Sequence, residues 1–416
     1  MIATLLFVAA SCAAPQDVVD AVSVSRVTEE ERPLVDQELT SRQAALLDLA
    51  FEAASKFPLD PHVKNRSRAQ EQAVVASLQL GAPVRALRYT EGIANWRRGV
   101  GYADVAAFGV EHQGGHGKGQ RTLGLLELAE AEALKAAQVP NAQAWRVDRI
   151  RARIARVHAL LGDYELAREI EARVEPDEKG AVEAVRTERI ASDEFEARLE
   201  AFSNATGVKV TFQEAQNSLD GMVRLFDRFY SDAERRQKLV DAVKAGSERM
   251  PAQIRFDVRR RLVEVALEKG TPGAARPLVD ELQRCFDATR WRPEVHVACL
   301  GIIAKLRFRA GQSGLARGLV GAALDRYEVA RTEVENFLRA DGLVPVAEAL
   351  ATIGDKDAAR ALFGRALTEA EENPNARVRT DDFVLIACSM ATSNIDPGED
   401  LMARLKSVAE GLRAPW

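Results

Sequence analysis

Apolar residues recur at helical spacing along most of the chain, and the stretch from 344 to 372 shows this pattern most clearly. Its first half places Val346 and Leu350 on one face of a predicted helix, and its second half places Leu362 and Leu367 on one face of another. A short glycine-containing turn separates the two halves. Because neither helix can bury its apolar stripe alone, the pattern predicts an antiparallel helix hairpin that packs against further copies of itself.

Copies of this unit are present, marked by a turn glycine, a small residue five positions later and an apolar or small residue seven positions earlier. The turn glycines and their following small residues are Gly81 with Ala86, Gly162 with Ala167, Gly270 with Ala275, Gly311 with Ala316, and Gly354 with Ala359. A degenerate copy pairs Gly119 with Gly124, and His112 takes its apolar position. Successive turn glycines are 38, 43, 108, 41 and 43 residues apart, which predicts five or six hairpins with a period near forty.

These units resemble tetratricopeptide repeats. The turn Gly162-Asp163-Tyr164 followed by Ala167 matches the turn of that family, and the last good unit matches it at five places, which are Ala347, Gly354, Ala359, Phe363 and Ala366. The period of about 40 exceeds the usual 34, and most units lack the first-helix aromatic and the closing proline. The resemblance covers about two-thirds of the chain. It implies an all-α fold of stacked antiparallel hairpins, wound into a right-handed superhelix.

The resemblance also implies a use for such a fold. A superhelix of hairpins has one concave face, and tetratricopeptide-like proteins bind a partner protein or peptide there. Glycine at each turn supplies the left-handed cap between the helices, and the small residues permit close helix crossing. The regular positions therefore serve packing, and the variable positions must select the partner.

The domain organisation follows from where the pattern weakens. Residues 15–42 are acidic and loosely patterned, which predicts a tether. Residues 43–202 form an N-terminal repeat block, whose last part, 179–202, is predicted as one long charged helix. The segment 203–210 is the predicted break before a C-terminal repeat block, residues 203–416, which ends in a divergent capping hairpin.

Residues 1–14 are predicted to be a signal peptide or lipoprotein leader. They contain an apolar run that is too short to span a membrane and is followed at once by polar sequence. The stretch ending at Cys12 resembles the lipobox of bacterial lipoproteins, in which the cysteine is lipidated, although Ala9 stands where leucine is usual and no basic residue precedes the run. We expect export to the periplasm or envelope, either by lipid anchoring or with simple cleavage. A cytoplasmic protein is the alternative.

Composition narrows the classes of function. Hydrophobic residues make up 47% of the chain and charged residues 29%, as in a folded globular protein. The formal net charge of −5 argues against a nucleic-acid-binding protein, which would carry a basic excess. No cofactor is expected, because no nucleotide fingerprint, nucleophile elbow or paired-carboxylate pattern rises above background.

The loop of residues 112–119 is the one stretch with an enzyme-like composition. Its two histidines, His112 and His116, could share a metal ion, but four glycines favour a flexible loop. Its Gly-Lys pair lacks the Ser or Thr of a phosphate-binding loop, since Gly119 stands there. We therefore predict no enzymatic activity and keep a metal-dependent enzyme using these histidines as a weak alternative.

Two further patterns concern packing. Cys299 and Cys388 lie in apolar helical runs and are predicted to be small core residues. A disulfide between Cys285 and Cys299 remains open for an oxidising compartment. Trp-Arg pairs begin at Trp96, Trp145 and Trp291, each 17 to 23 residues before a turn glycine. Each indole should therefore start the first helix of a hairpin and pack on the preceding repeat.

Three functional hypotheses follow from the sequence. The first is a non-enzymatic protein–protein interaction scaffold, exported in a bacterium. The second is an envelope lipoprotein that binds a glycan or nutrient, although four Trp and five Tyr supply few aromatic platforms. The third is the metal-dependent enzyme described above. Oligomeric state is left open by the sequence.

The leader hypothesis predicts the outcome of a fractionation experiment. If Cys12 is lipidated, the full-length chain should sediment with the membrane fraction of a bacterial host, and Cys12→Ala should move it to the soluble fraction. Immunoblotting of fractions beside mass spectrometry of the amino terminus measures both location and modification. Identical fractionation and an unmodified terminus in the two proteins would contradict lipid anchoring.

Overall fold

The computed structural model describes residues 33–112, 119–139, 143–207, 210–270 and 272–416. Within these ranges the protein is all-α, with nineteen α-helices, three short 3-10 helices and no β-strand. This confirms the predicted fold class of antiparallel helix hairpins. The α-helices, numbered α1 to α19 in chain order, are Ser41–Ser55, Val63–Gln79, Pro83–Glu91, Arg97–His112, Gln120–Gln138, Ala144–Leu160, Tyr164–Ala172, Ala181–Glu188, Phe195–Asn204, Phe212–Arg228, Ala233–Ser247, Ala252–Glu268, Pro272–Asp287, Pro293–Arg309, Ser313–Ala330, Arg339–Ile353, Lys356–Glu371, Ala376–Thr392 and Gly398–Gly411.

The helices form two layers. Each even-numbered helix packs against the even-numbered helices before and after it, and most also pack against both of their odd-numbered neighbours in the chain. Odd-numbered helices contact one another only at two places, α9 with α11 and α1 with α19, among the substantial contacts of the described residues. The continuous even-numbered layer is therefore the inner side of a curved array, and the odd-numbered helices form its more widely spaced outer side.

The array closes into a ring, which the sequence did not predict. Helix α18 near the carboxyl end packs against α2, so all nine even-numbered helices form one continuous circle. Helix α1 packs extensively on α18, in the position that the second helix of a hairpin takes in the other units. The last inner helix thus receives its hairpin partner from the opposite end of the chain.

Several specific contacts hold this seam. The Gln43 side chain donates to the carbonyl oxygen of Ala391 at 3.1 Å, and Arg68 pairs with Asp381 at 2.6 Å. The Trp416 ring lies 5.1 Å from the Phe57 ring. Contacts between the two ends therefore include apolar, hydrogen-bonded and charged groups.

The ring encloses a channel. Packed helices lie about 8–10 Å apart, so nine inner helices have a circumference of about 70–90 Å and a radius of about 11–14 Å at their axes. Subtracting a helix radius of about 5–6 Å leaves a channel about 10–18 Å wide. No inner helix packs substantially across the centre in the described part of the chain. The concave face expected for an open superhelix is therefore the wall of a channel.

The turns explain why hairpins form. The five turn glycines Gly81, Gly162, Gly270, Gly311 and Gly354 have φ between +69° and +93°, a left-handed conformation that residues with a Cβ rarely adopt. At the start of the following helix, Asp355 accepts a hydrogen bond from the Ala358 backbone N–H. Similar side-chain caps at Thr40 and Thr211 form complete capping boxes.

The centre of the chain differs from its prediction. Residues 179–202 do not form one long helix, because α8 ends at Glu188 and a 3-10 turn at Ser192–Glu194 precedes α9. This break leaves α8 in the inner layer between α6 and α10, whereas α9 packs on α10 and α11, and α10 with α11 forms a further hairpin. The 108-residue gap between turn glycines therefore contains further helices of both layers whose turns lack the glycine signature.

Helices α14 and α16 approach each other closely in the inner layer. A Cβ on Gly301 of α14 would lie 2.7 Å from the backbone of Pro345 and Val346 in α16. The α14–α16 interface therefore depends on the absence of a side chain at this position. Gly318, on the outer helix α15, contrasts with it, because a Cβ there would meet nothing within 4 Å.

This contrast predicts opposite effects of the same substitution. Gly301→Ala should destabilise the protein by about 1–3 kcal/mol, because two backbones must separate. Gly318→Ala should stabilise it by about 0.5–1 kcal/mol, because alanine restricts the unfolded chain and favours the helix. Urea unfolding followed by circular dichroism measures both changes. Equal effects of the two substitutions would contradict the close α14–α16 packing.

Candidate functional site

The channel wall consists of side chains that leave the inner helices at intervals of three or four residues. On α2 these are Arg68, Glu71, Gln72, Val75 and Gln79, all exposed or half-buried in a helix whose other faces are largely buried. They are neighbours on one face because residues three and four apart share a helix side. The wall is therefore mainly polar, in contrast to the apolar layer between inner and outer helices.

Charge pairs cross from one inner helix to the next around most of the channel. Six pairs place an arginine on one inner helix and a carboxylate on the preceding inner helix. They are Arg68–Asp381, Arg97–Glu71, Arg153–Asp104, Arg156–Glu111, Arg224–Glu188 and Arg261–Asp220. In a seventh pair the positions are reversed: the basic residue, Lys305, lies on the preceding helix α14 and contacts Glu348 on α16 at 3.2 Å. We refer to these seven pairs as the channel ion pairs.

The surroundings of these pairs shift the pKa values of two of their carboxyl groups. Burial raises the pKa of Asp104 more than the neighbouring Arg153 and Arg156 lower it, and burial likewise raises the pKa of Glu71 beside Arg97. About a quarter of each of these carboxylate side chains is nevertheless exposed. Both results fit groups that contact water inside a channel but have protein on most sides.

A cavity of about 470 Å³ opens on the channel between α12 and α14. These two helices make the least contact of any neighbouring inner helices. The lining side chains are mostly apolar and come from the first three turns of α12 and α14, the first turn of α16, and the segments before α14 and α16. They include Ile254, Phe256, Trp291, Val295, Ala298 and Ile302, together with the polar residues Asp257, Arg260, Glu294 and Asp341.

Carboxylates gather where the amino-terminal halves of α14, α16 and α18 meet. Asp341 acquires a raised pKa from burial and from the nearby charges of Asp381 and Glu294. Asp382 is 4% exposed, and its Oδ2 atom has no hydrogen-bond partner among the described residues. Burial, with Asp341 and Asp381 close by, raises the pKa of Asp382 to about 8. Asp382 therefore keeps its proton to a higher pH than an ordinary aspartate.

The residues that the sequence singled out for packing lie away from the channel chemistry. The alanines after the turn glycines, and Phe363, are fully buried between hairpin helices; they are Ala86, Ala167, Ala275, Ala316 and Ala359. Gly119 differs from the other turn glycines, because it precedes α5 with φ of −63°. It starts a helix and does not adopt the left-handed turn.

The histidine loop is only partly described. His112 ends α4, stacks on Phe108 with 4.3 Å between ring centroids, and places Nδ1 3.3 Å from the Phe108 carbonyl oxygen. His116 and Cys12 lie outside the described residues. Among the residues that are described, no group of three or more His, Cys, Asp or Glu side chains is placed to hold a metal ion.

The other sequence features have structural positions. Cys285, Cys299 and Cys388 are free thiols, and burial raises the pKa of the latter two to about 12. The Trp96 and Trp145 rings pack edge to face at 5.1 Å, at the starts of α4 and α6. The Arg149 guanidinium lies over both rings, 6.0 Å and 5.2 Å from their centroids. These indoles join neighbouring repeats.

Sequence reasoning did not identify the cavity, Asp341 or Asp382. The adjacent aspartates 381 and 382 are a visible signal, because one of two neighbouring helical positions usually faces the interior. Pro345, four residues after Asp341, is a second signal. Neither signal indicates a site until the fold brings α14, α16 and α18 together.

Comparisons with known proteins add little to this geometry. No protein-family model matches the chain, and no curated protein matches it. Among solved structures, one match is a "Circular tandem repeat protein with novel repeat topology and enhanced subunit contact surfaces". It is 15% identical, and the match covers 89% of this chain and 94% of that one, with a TM-score of 0.28. Similarity at this level carries no argument about function.

Asp382 generates a pH-dependent prediction. Its folded-state pKa of about 8 lies above the ordinary value of 3.8, so the folded protein binds more protons than the unfolded chain between these values. Stability should therefore fall as pH rises from 4 to 8. Asp382→Asn should remove this dependence of stability on pH. The substitution should therefore stabilise the protein more at pH 8 than at pH 5.

Urea midpoints at the two pH values measure the effect. Asp357→Asn is the control, because that side chain is 90% exposed. The explanation is wrong if Asp382→Asn shifts the midpoint equally at both pH values, or if the control shows the same pH-dependent gain.

Proposed function

We propose that the protein is a non-enzymatic interaction scaffold and that its channel wall binds an extended segment of a partner protein. The observation that carries this proposal is the rows of exposed side chains on successive inner helices, on a rigid helical support. Helical repeat proteins use their concave faces in this way, and here that face surrounds the partner. Binding from several sides increases the contact available to a single extended chain.

The channel ion pairs suit this task. Most are partly exposed, and such pairs contribute only about 0–1 kcal/mol each to stability. A partner can therefore insert its own charged or hydrogen-bonding groups among them at small cost to the fold. Because acidic and basic groups alternate around the wall, charge order along the partner would determine its register.

Export and membrane anchoring are part of the proposal, and they depend on residues 1–14, including Cys12. Within the described residues, no helix has the length and apolar character needed to cross a bilayer. An exported scaffold of this kind would act on partners in the periplasm or at the envelope membrane.

The cavity between α12 and α14 supports a second candidate, a protein that binds a small ligand. Its volume of about 470 Å³ falls in the usual range of ligand pockets, about 300–1,000 Å³. Trp291 and Phe256 supply aromatic surface there. The two candidates differ in whether the cavity receives a free molecule or a side chain of the partner.

Site-specific photo-crosslinking tests the scaffold proposal. A photoreactive phenylalanine analogue replaces Val75 on the channel side of α2, or Val84 on the outer helix α3, where the exposures are 43% and 45%. The channel position should crosslink to one defined partner segment in cell extracts. A synthetic copy of that segment should compete with the crosslink, and the Val84 position should not form it.

The matched exposure of the two valines separates channel binding from general stickiness. Equal crosslinking at both positions, or failure of the synthetic segment to compete, would contradict the proposal. Circular dichroism and size-exclusion chromatography of both substituted proteins establish that the ring is intact.

A further inference from the structure

The cavity between α12 and α14 has the features of a specificity site, and its interpretation rests on the proposed function of the channel. It lies where the inner layer is least closely packed, and it opens on the channel because residues from the inner faces of both helices line it. A partner segment in the channel would therefore pass its entrance.

The walls are suited to an apolar side chain. Val295, Ala298 and Ile302 form a half-buried row on α14 at spacings of three and four residues. The Trp291 ring closes one end and is held in place, because its Nε1–H donates to the Phe286 carbonyl oxygen at 3.0 Å. A fixed indole and branched side chains give a preformed apolar surface, which binds without reorganisation.

The acidic and basic side chains around the cavity do not balance in number. Arg260 pairs with Asp257 at 2.6 Å and with Glu264 at 2.6 Å, and Arg292 pairs with Glu294 at 2.7 Å. Asp341 also lines the cavity; part of this residue is open to solvent and part is covered by neighbouring protein, and it has no cationic partner among the described residues. One carboxylate at the cavity therefore lacks a counter-charge.

Asp341 offers two acceptors to a ligand. Pro345 has no N–H and lies four residues later within α16, so the backbone carbonyl of Asp341 lacks its usual helical donor. The carboxylate lies in the first turn of the same helix. The helix dipole there favours the ionised form, although burial and the neighbouring carboxylates raise the pKa of Asp341 overall. A cation that donates several hydrogen bonds, such as ammonium or guanidinium, matches this pair of acceptors.

Neighbouring groups add to the preference for a cation. Asp381 and Glu294 lie close enough to Asp341 for their negative charges to raise its pKa. The nearby arginine, Arg68, is already paired with Asp381. An anionic ligand would be repelled by these carboxylates, whereas a cation would reduce the repulsion among them.

We propose that this cavity binds a basic-hydrophobic motif of the partner segment: an aromatic or branched apolar side chain fills the cavity, and an adjoining lysine or arginine contacts Asp341. The apolar walls provide affinity, and the carboxylate and free carbonyl select the neighbouring residue. The cavity would thereby set both the register and the identity of the segment in the channel.

Defined peptides test the motif. The probes are acetyl-Gly-Ser-Phe-Lys-Ser-Gly-amide and two relatives, in which glutamine replaces the lysine or serine replaces the phenylalanine. Isothermal titration with the full ring should give the Phe-Lys peptide the highest affinity, with a Kd of about 1 mM or below. Each relative should bind about tenfold more weakly, as expected for loss of a charge-assisted contact or an apolar anchor.

Two substitutions assign the effect to the cavity. Asp341→Asn should reduce the preference for lysine over glutamine to less than twofold, whereas Ala298→Phe should fill the cavity and abolish binding of the Phe-Lys peptide. Val84→Phe, on the outer helix α3, is the control and should leave peptide binding unchanged. Unfolding curves of all three variants establish that they fold.

Several outcomes would overturn the proposal. They are equal affinity for the lysine and glutamine peptides, retained lysine preference in Asp341→Asn, or no binding of the Phe-Lys peptide at 5 mM. Binding of 2-phenylethylamine without binding of the peptide would also overturn it and would favour a small ligand. Crosslinking at Val75 is independent of these titrations, so failure at the cavity is distinguishable from failure of the channel function.

Discussion

The packing of α1 on α18 is the interaction on which the rest of the architecture depends. In an open array of hairpins, the first and last units each leave an apolar face that must be covered. Here the two faces cover each other, and Leu46, Leu47 and Ala50 of α1 are fully buried. Each buried leucine contributes about 1.5–3 kcal/mol relative to exposure. The seam therefore contributes stability as an ordinary hairpin does, although its two helices are more than 300 residues apart.

Closure also determines the electrostatics of the inner face. Curvature brings neighbouring inner helices together along their channel sides, so that arginine side chains reach carboxylates on the preceding helix. Enclosure removes water from around these groups, which explains why burial raises the pKa of Asp104 and Glu71 despite their arginine partners. On an open solenoid the same residues would be better hydrated and less perturbed.

The hairpins were predictable from sequence because their determinants are local. Gly354 and Ala359 lie five residues apart, and glycine at a left-handed turn with a small residue at a helix crossing leaves a direct mark in the sequence. The hairpins between Gly162 and Gly270 were harder to detect, since Thr211 and Asp232 start their helices by side-chain capping and not after a turn glycine. Closure left no such mark, because it depends on small rotations summed over every hairpin. The cavity was equally hidden, since Trp291 and Asp341 approach it from different helices.

A closed ring restricts how this protein can vary. In an open solenoid, loss or duplication of a repeat changes the length and leaves the remaining contacts intact. Here each of the nine inner helices accounts for about 40° of a full circle, and eight would need about 45° each to meet again. Every inner interface would have to change its crossing angle at once, or the two ends would separate. The number of repeats is therefore a property of the whole molecule, and sequence change should proceed by substitution and loop insertion while the repeat count stays constant.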